Sequence, residues 1–153
     1  MKKTINFIIR YTEEKYGVGY IIKINEDDVG YCYIDLFRKK IIINFYNFIL
    51  KILDIKKNDF KSYKEKFKEF GVHSFKETGK IEIKKIVDVN IYPVEDNYYE
   101  LTLNDIFTGH CQICSVTNKV ILNFNGWVLD MLDIDYFDFN SYKTRFKEFG
   151  IDL

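Results

Sequence analysis

The residues best suited to chemistry lie at His110-Cys111-Gln112-Ile113-Cys114, a histidine beside a Cys-x-x-Cys spacing. Thiolate and imidazole groups hold zinc when four of them converge, and Cys32 and His73 could complete such a set. Three arguments favour plain packing instead. A lone Cys-x-x-Cys lacks the second pair that makes the spacing specific, and on a strand residues three apart face opposite sides of the sheet. Cys111 also aligns with Cys32 inside a shared Gly-x-Cys-x-Ile pattern (Gly30 with Gly109, Ile34 with Ile113), so both thiols read as small core residues. A redox pair of the thioredoxin kind would open a helix, which this segment does not.

Nucleophilic catalysis needs a cysteine or serine oriented by a histidine. Only two histidines exist. His73 lies at a joint between segments, and on a strand His110 points away from its neighbour Cys111. No carboxylate pair has a setting that marks it for acid–base work, and Gly17-Val18-Gly19 is too short to cradle a phosphate. The expectation is therefore a protein that is not an enzyme, with no catalytic residues, metal or cofactor. A small Cys/His metal-binding protein or enzyme is the competing reading.

A sharper signal comes from comparing the chain with itself. Shifted by 79 residues, segment 45–71 lies on segment 124–150 without a gap, with 15 of 27 positions identical. Asp54/Asp133 and Asp59/Asp138 are shared, as structural residues are, whereas Lys51, Lys56 and Lys57 become Asp130, Asp135 and Tyr136. Asp130 falls off the apolar stripe and so faces solvent or a partner. Glu95 and Asp96 sit on a turn and lead into Tyr98 and Tyr99. These seven residues, Asp130, Asp135, Tyr136, Glu95, Asp96, Tyr98 and Tyr99, predict an acidic surface edged by aromatics. Such a surface steers a basic protein partner and anchors it.

Net charge is zero, but it is unevenly placed. Residues 1–76 hold 16 Lys/Arg against 10 Asp/Glu, and residues 77–153 hold 7 against 13, giving +6 and −6. The seven lysines of segment 51–68, interleaved with Tyr63 and Phe67, could meet phosphates. Asp54, Asp59, Glu65 and Glu69 intersperse them, however, and the aromatics recur at core spacing. A solvated helix face is the better reading, and nucleic acid is not the expected partner.

The elements that must position these residues follow from periodicity. Alternation over 4–12 (Ile5, Phe7, Ile9, Tyr11) predicts a strand, with further strands over 20–24, 31–37, 40–44, 81–91, 98–103, 110–116 and 119–123. Gly17 and Gly19 predict a turn, residues 26–28 with Gly30 a loop, and Arg38–Lys39 and Asn118 two tight hairpin turns. Phe45, Phe48, Ile49, Ile52 and Leu53 recur at helical spacing, as do Phe124, Trp127, Val128, Met131 and Leu132. Second helices follow, capped by Asp59 and Asp138 and closed by Gly71 and Gly150. The chain has no alanine, so these helices lean on packing rather than propensity.

The predicted fold class is α+β, an internal duplication of a roughly ββββαα unit with antiparallel sheet packed against helix pairs. The two repeats span residues 1–76 and 77–153. The N-terminus begins like a secretion signal but soon carries Arg10, Glu13 and Glu14, and no run approaches the ~20 apolar residues of a membrane span. Three cysteines suit a reducing compartment, so a cytoplasmic protein is expected. The functional expectation is a non-catalytic inhibitor, such as a toxin-neutralising immunity protein that binds a basic, nuclease-like partner. A phage-type inhibitor of a host defence protein is the alternative. A homo-oligomer, in which the basic repeat of one chain meets the acidic repeat of another, is a further reading.

Overall fold

The computed structural model describes residues 1–74, 78–114 and 116–153. The chain runs β1 (Lys2–Glu13), β2 (Gly17–Ile24), β3 (Asp27–Asp35), β4 (Lys40–Ile43), α1 (Asn47–Leu53) and α2 (Phe60–Glu69). It continues with β5 (Gly79–Glu95), β6 (Tyr98–Leu103), β7 (Ile106–Cys114), β8 (Lys119–Leu122), α3 (Gly126–Leu132) and α4 (Phe139–Glu148). The class is α+β. The strands are hydrogen-bonded in the order β4-β3-β2-β1-β5-β6-β7-β8, and each hairpin is antiparallel. No helix among the described residues is long and apolar enough to cross a membrane.

Two compact units divide the chain, one of Asn6–Lys85 and one of Met1–Ile5 with Ile86–Leu153. The long strands β1 and β5 contribute to both. The predicted repeat boundary between residues 76 and 77 lies outside the described residues, as does Ser115 in the predicted strand 110–116.

In the Asn6–Lys85 unit, the alternation of β1 buries Ile5, Phe7, Ile9 and Tyr11 as the pattern requires, Ile5 falling just across the unit boundary. Helix α2 packs Phe67 on Tyr20 of β2, with ring centres 4.3 Å apart, and α1 lays Ile49 over Gly30 of β3. In the other unit, α4 sets Phe146 edge-on to Tyr99 of β6 at 5.2 Å, and Phe124 approaches Gly109 of β7. Each unit is thus sheet on one side and a helix pair on the other.

Several predicted boundaries are corrected. Gly17 and Gly19 belong to β2 rather than a turn. A Cβ on Gly17 would run into the Ile34 carbonyl, so glycine permits the close approach of two backbones. The loop predicted at 26–28 is a two-residue turn at Asn25–Glu26, after which β3 begins and carries Gly30. Both turn residues have positive φ (50° and 71°), as do Asn104 and Asp105 (51° and 64°) between β6 and β7. Two positive values make the turn whose twist suits a right-twisted hairpin. Strand β7 accordingly starts at Ile106, four residues before the predicted position. Asn118 takes the left-handed conformation expected of it, with φ of 56°.

The shared aspartates hold helix ends. Asp54 and Asp133 stop α1 and α3 in the left-handed conformation (φ 59° and 57°). The N–H groups of Ile55 and Ile134 reach back to the Leu50 and Leu129 carbonyls at 2.8 and 2.9 Å. Asp59 and Asp138 cap α2 and α4, their carboxylates accepting from Ser62 N–H at 3.2 Å and Asn140 N–H at 3.0 Å.

Candidate functional site

Helix α3 buries Trp127, Val128, Leu129 and Leu132, which leaves Asp130 exposed on the opposite side. After the stop at Asp133, buried Ile134 anchors the chain and Asp135 opens a tight turn. The Asp135 N–H donates to Ser141 Oγ at 2.9 Å, and its carboxylate accepts from Phe137 N–H at 3.1 Å. This side-chain turn throws the next two residues outward. Tyr136 is 54% exposed and Phe137 92%, with their rings edge-on at 4.7 Å. Below them, the buried Tyr142 of α4 places its hydroxyl 2.7 Å from Asn123 Oδ1 and 3.2 Å from the Tyr136 carbonyl, which fixes the base of the loop.

The aspartates here are not equivalent. Asp133 is matched by Arg145 at 2.9 Å, and Asp138 is spent on its cap. Asp130 has no hydrogen bond or ion pair to its carboxylate among the described residues, and Asp135 has no cation. The loop therefore presents uncompensated negative charge beside two exposed rings.

Phe137 was not among the residues singled out from the sequence. Its signal was present in the same self-comparison, where it stands opposite Asn58. Asn58 and Asn44 exchange two hydrogen bonds, at 2.6 and 2.9 Å. Phenylalanine at that place cannot accept the side-chain bond, its N–H donates to Asp135 instead, and its ring offers bare apolar surface.

The remaining predicted residues separate. Glu95 and Asp96 are exposed at the β5–β6 turn, and Tyr98, 37% exposed, pairs with Gln112 on the sheet face away from the helices. Tyr99 points the other way, against Phe146, and burial pushes its hydroxyl pKa up. Among the described residues no hydrogen bond or ion pair joins Glu95 or Asp96 to the Asp130–Tyr136 segment.

Cys32 and Cys111 are buried opposite Tyr20 and Tyr99, and Cys114 lies on the other side of its strand. Burial pushes the Cys32 thiol well up and the Cys111 thiol to about 12. Hydrogen bonds from the side chain and then the backbone of Thr117 pull the half-buried Cys114 thiol down. His110 stacks on Phe107 at 6.2 Å. Among the described residues no three His, Cys, Asp or Glu side chains gather as a metal ion would need. In comparisons with known proteins, no family model, no curated protein and no solved structure matches the chain.

Proposed function

We propose that the chain is a non-catalytic, cytoplasmic binding protein of the toxin-neutralising immunity type, which occupies a basic, nuclease-like protein. The observation that carries this reading is the Tyr136–Phe137 pair, exposed within a loop whose neighbours Asp130 and Asp135 have no cation among the described residues. Exposed aromatics disfavour solubility and have the character of interface anchors, and unpaired carboxylates around them steer a cationic partner. Glu95, Asp96 and Tyr98 extend the acidic, aromatic character of this unit. A phage-type inhibitor of a host defence protein would use the same surface.

The two runs of four strands and two helices are copies of one duplicated ββββαα unit in this reading. Matched local geometry supports it, since Asp54/Asp133, Asp59/Asp138 and the Tyr63–Asn44 and Tyr142–Asn123 bonds recur 79 residues apart. One copy kept lysines where the other acquired acids and rings.

The test is parallel affinity capture from the native host with wild-type protein, an Asp130→Lys/Asp135→Lys variant and a Phe137→Ser variant. The wild-type chain should retain one stoichiometric basic protein that added salt releases. Charge reversal and loss of the ring should each weaken it by about tenfold or more, the range of an interface anchor. Equal retention by all three proteins would remove this surface from the function.

A further inference from the structure

The Asn6–Lys85 unit contains a concavity of about 310 Å³, at the small end of ligand-pocket size. Its lining comes from the β3–β4 turn, one face of α2 and the chain that follows α2. Half-buried Leu36 and Phe60 and buried Val72 supply apolar wall, whereas Lys39, Lys64, Lys68 and His73 are exposed around it. Phe60, Lys64 and Lys68 are spaced by four and share one helix face. Val72 is pinned by its N–H to the Phe67 carbonyl at 2.8 Å, which brings His73 to the same place.

Two features separate this cluster from ordinary solvated lysines. First, its charges are uncompensated among the described residues. Among the described residues, carboxylates on these segments are engaged elsewhere: Asp59 in the α2 cap, Glu65 with Lys61, Glu69 and Asp54 with Lys66, and Asp35 with Arg38. Lys39, Lys64 and Lys68 form no ion pair among the described residues. Lys64 and Lys68, one turn apart, repel each other. Second, Lys39 holds a left-handed backbone, with φ of 54°, where the equivalent turn uses Asn118 at 56°. Asparagine tolerates that conformation far better than lysine, so an ammonium is kept there against backbone preference. The other unit lacks the set: Asn118 and Asp152 stand where Lys39 and His73 do.

We propose that this concavity binds a small phosphorylated molecule with a flat apolar body, of mononucleotide class. Lys39, Lys64 and Lys68 would surround the phosphate as charge-assisted donors, and the Leu36–Phe60–Val72 wall would take the ring. Three ammonium groups favour a dianion over a carboxylate, and the apolar wall favours a ligand larger than phosphate alone. The site is independent of the acidic loop.

The experiment is calorimetric titration at low ionic strength with adenosine monophosphate, inorganic phosphate and adenosine. The variants are Lys39→Asn, which suits the backbone and so spares the fold, and Lys64→Glu/Lys68→Glu. Adenosine monophosphate should bind one per chain and more tightly than inorganic phosphate, with adenosine silent. Each variant should weaken it about tenfold or more, the worth of a charged hydrogen bond. No heat from either phosphate, equal affinity for the two, or binding unchanged in both variants would overturn the proposal.

Discussion

Gly30 and Gly109 meet different neighbours despite the sequence they share. They stand at the same place in the shared Gly-x-Cys-x-Ile pattern, yet their surroundings differ. A Cβ on Gly30 would lie 2.8 Å from Ile49 Cδ1 and 2.9 Å from Ile22 Cγ2, whereas on Gly109 the nearest atom is Phe124 Cδ1 at 3.7 Å. The counterparts of Ile49 and Ile22 are Val128, which has no δ carbon, and Leu101, which branches one carbon later. Gly30→Ala should therefore destabilise by about 1–3 kcal/mol through overpacking, and Gly109→Ala by less than about 0.5 kcal/mol. Urea midpoints of the two variants check this, and Ile49→Val in the Gly30→Ala background should recover part of the loss. Equal midpoints would show that the core yields at Gly30. The glycines were legible in the sequence; the clearance above them is set by side chains on α1 and α3 that only packing brings there.

At the scale of elements, turns decided where strands begin. Asn25–Glu26 places a glutamate at φ 71°, a conformation that penalises a side chain with a Cβ, while its counterpart uses Asp105. Glu26→Gly should raise stability by about 0.5–1 kcal/mol, read as a higher urea midpoint with an unchanged slope. A lower midpoint would mean that the glutamate side chain contributes more than its backbone conformation costs. The helices were legible to within a residue or two, because their apolar stripes, capping aspartates and closing glycines are local signals. The turn at 25–26 was not, since the acidic run 26–28 reads as a loop until the pairing of Lys23 with Asp28 and Ile24 with Asp27 is known.

For the whole molecule, the consequence of this core is sensitivity to alkali. Burial is the leading cause that raises the thiols of Cys32 and Cys111 and the hydroxyls of Tyr63 and Tyr142, a thiol and a tyrosine in each unit. A group raised in the folded chain gives up its proton earlier when unfolded. The unfolded state then binds fewer protons, and stability falls as pH rises. For the thiols that window opens near the ordinary value of 9.0 and extends to about 12 for Cys111. Urea midpoints should hold steady between about pH 7 and pH 8 and decline from about pH 9 to pH 11. Cys111→Val should flatten part of the decline, whereas a midpoint level to pH 11 would contradict the burial.

By itself the sequence determined the α+β order of elements, the buried cysteines, the helix caps and stops, and the contrast of charge between its halves. Each of these rests on spacing or composition within a short stretch. The tertiary structure alone decided that Tyr99 turns inward against Phe146 while Tyr98 stays out, and that Phe137 stands exposed beside Tyr136. It also gathered Lys39, Lys64, Lys68 and His73 around one concavity. Those outcomes depend on which strand face meets a helix and on how residues far apart in the chain converge. Both are set by strand register and packing, which periodicity along a single chain does not encode.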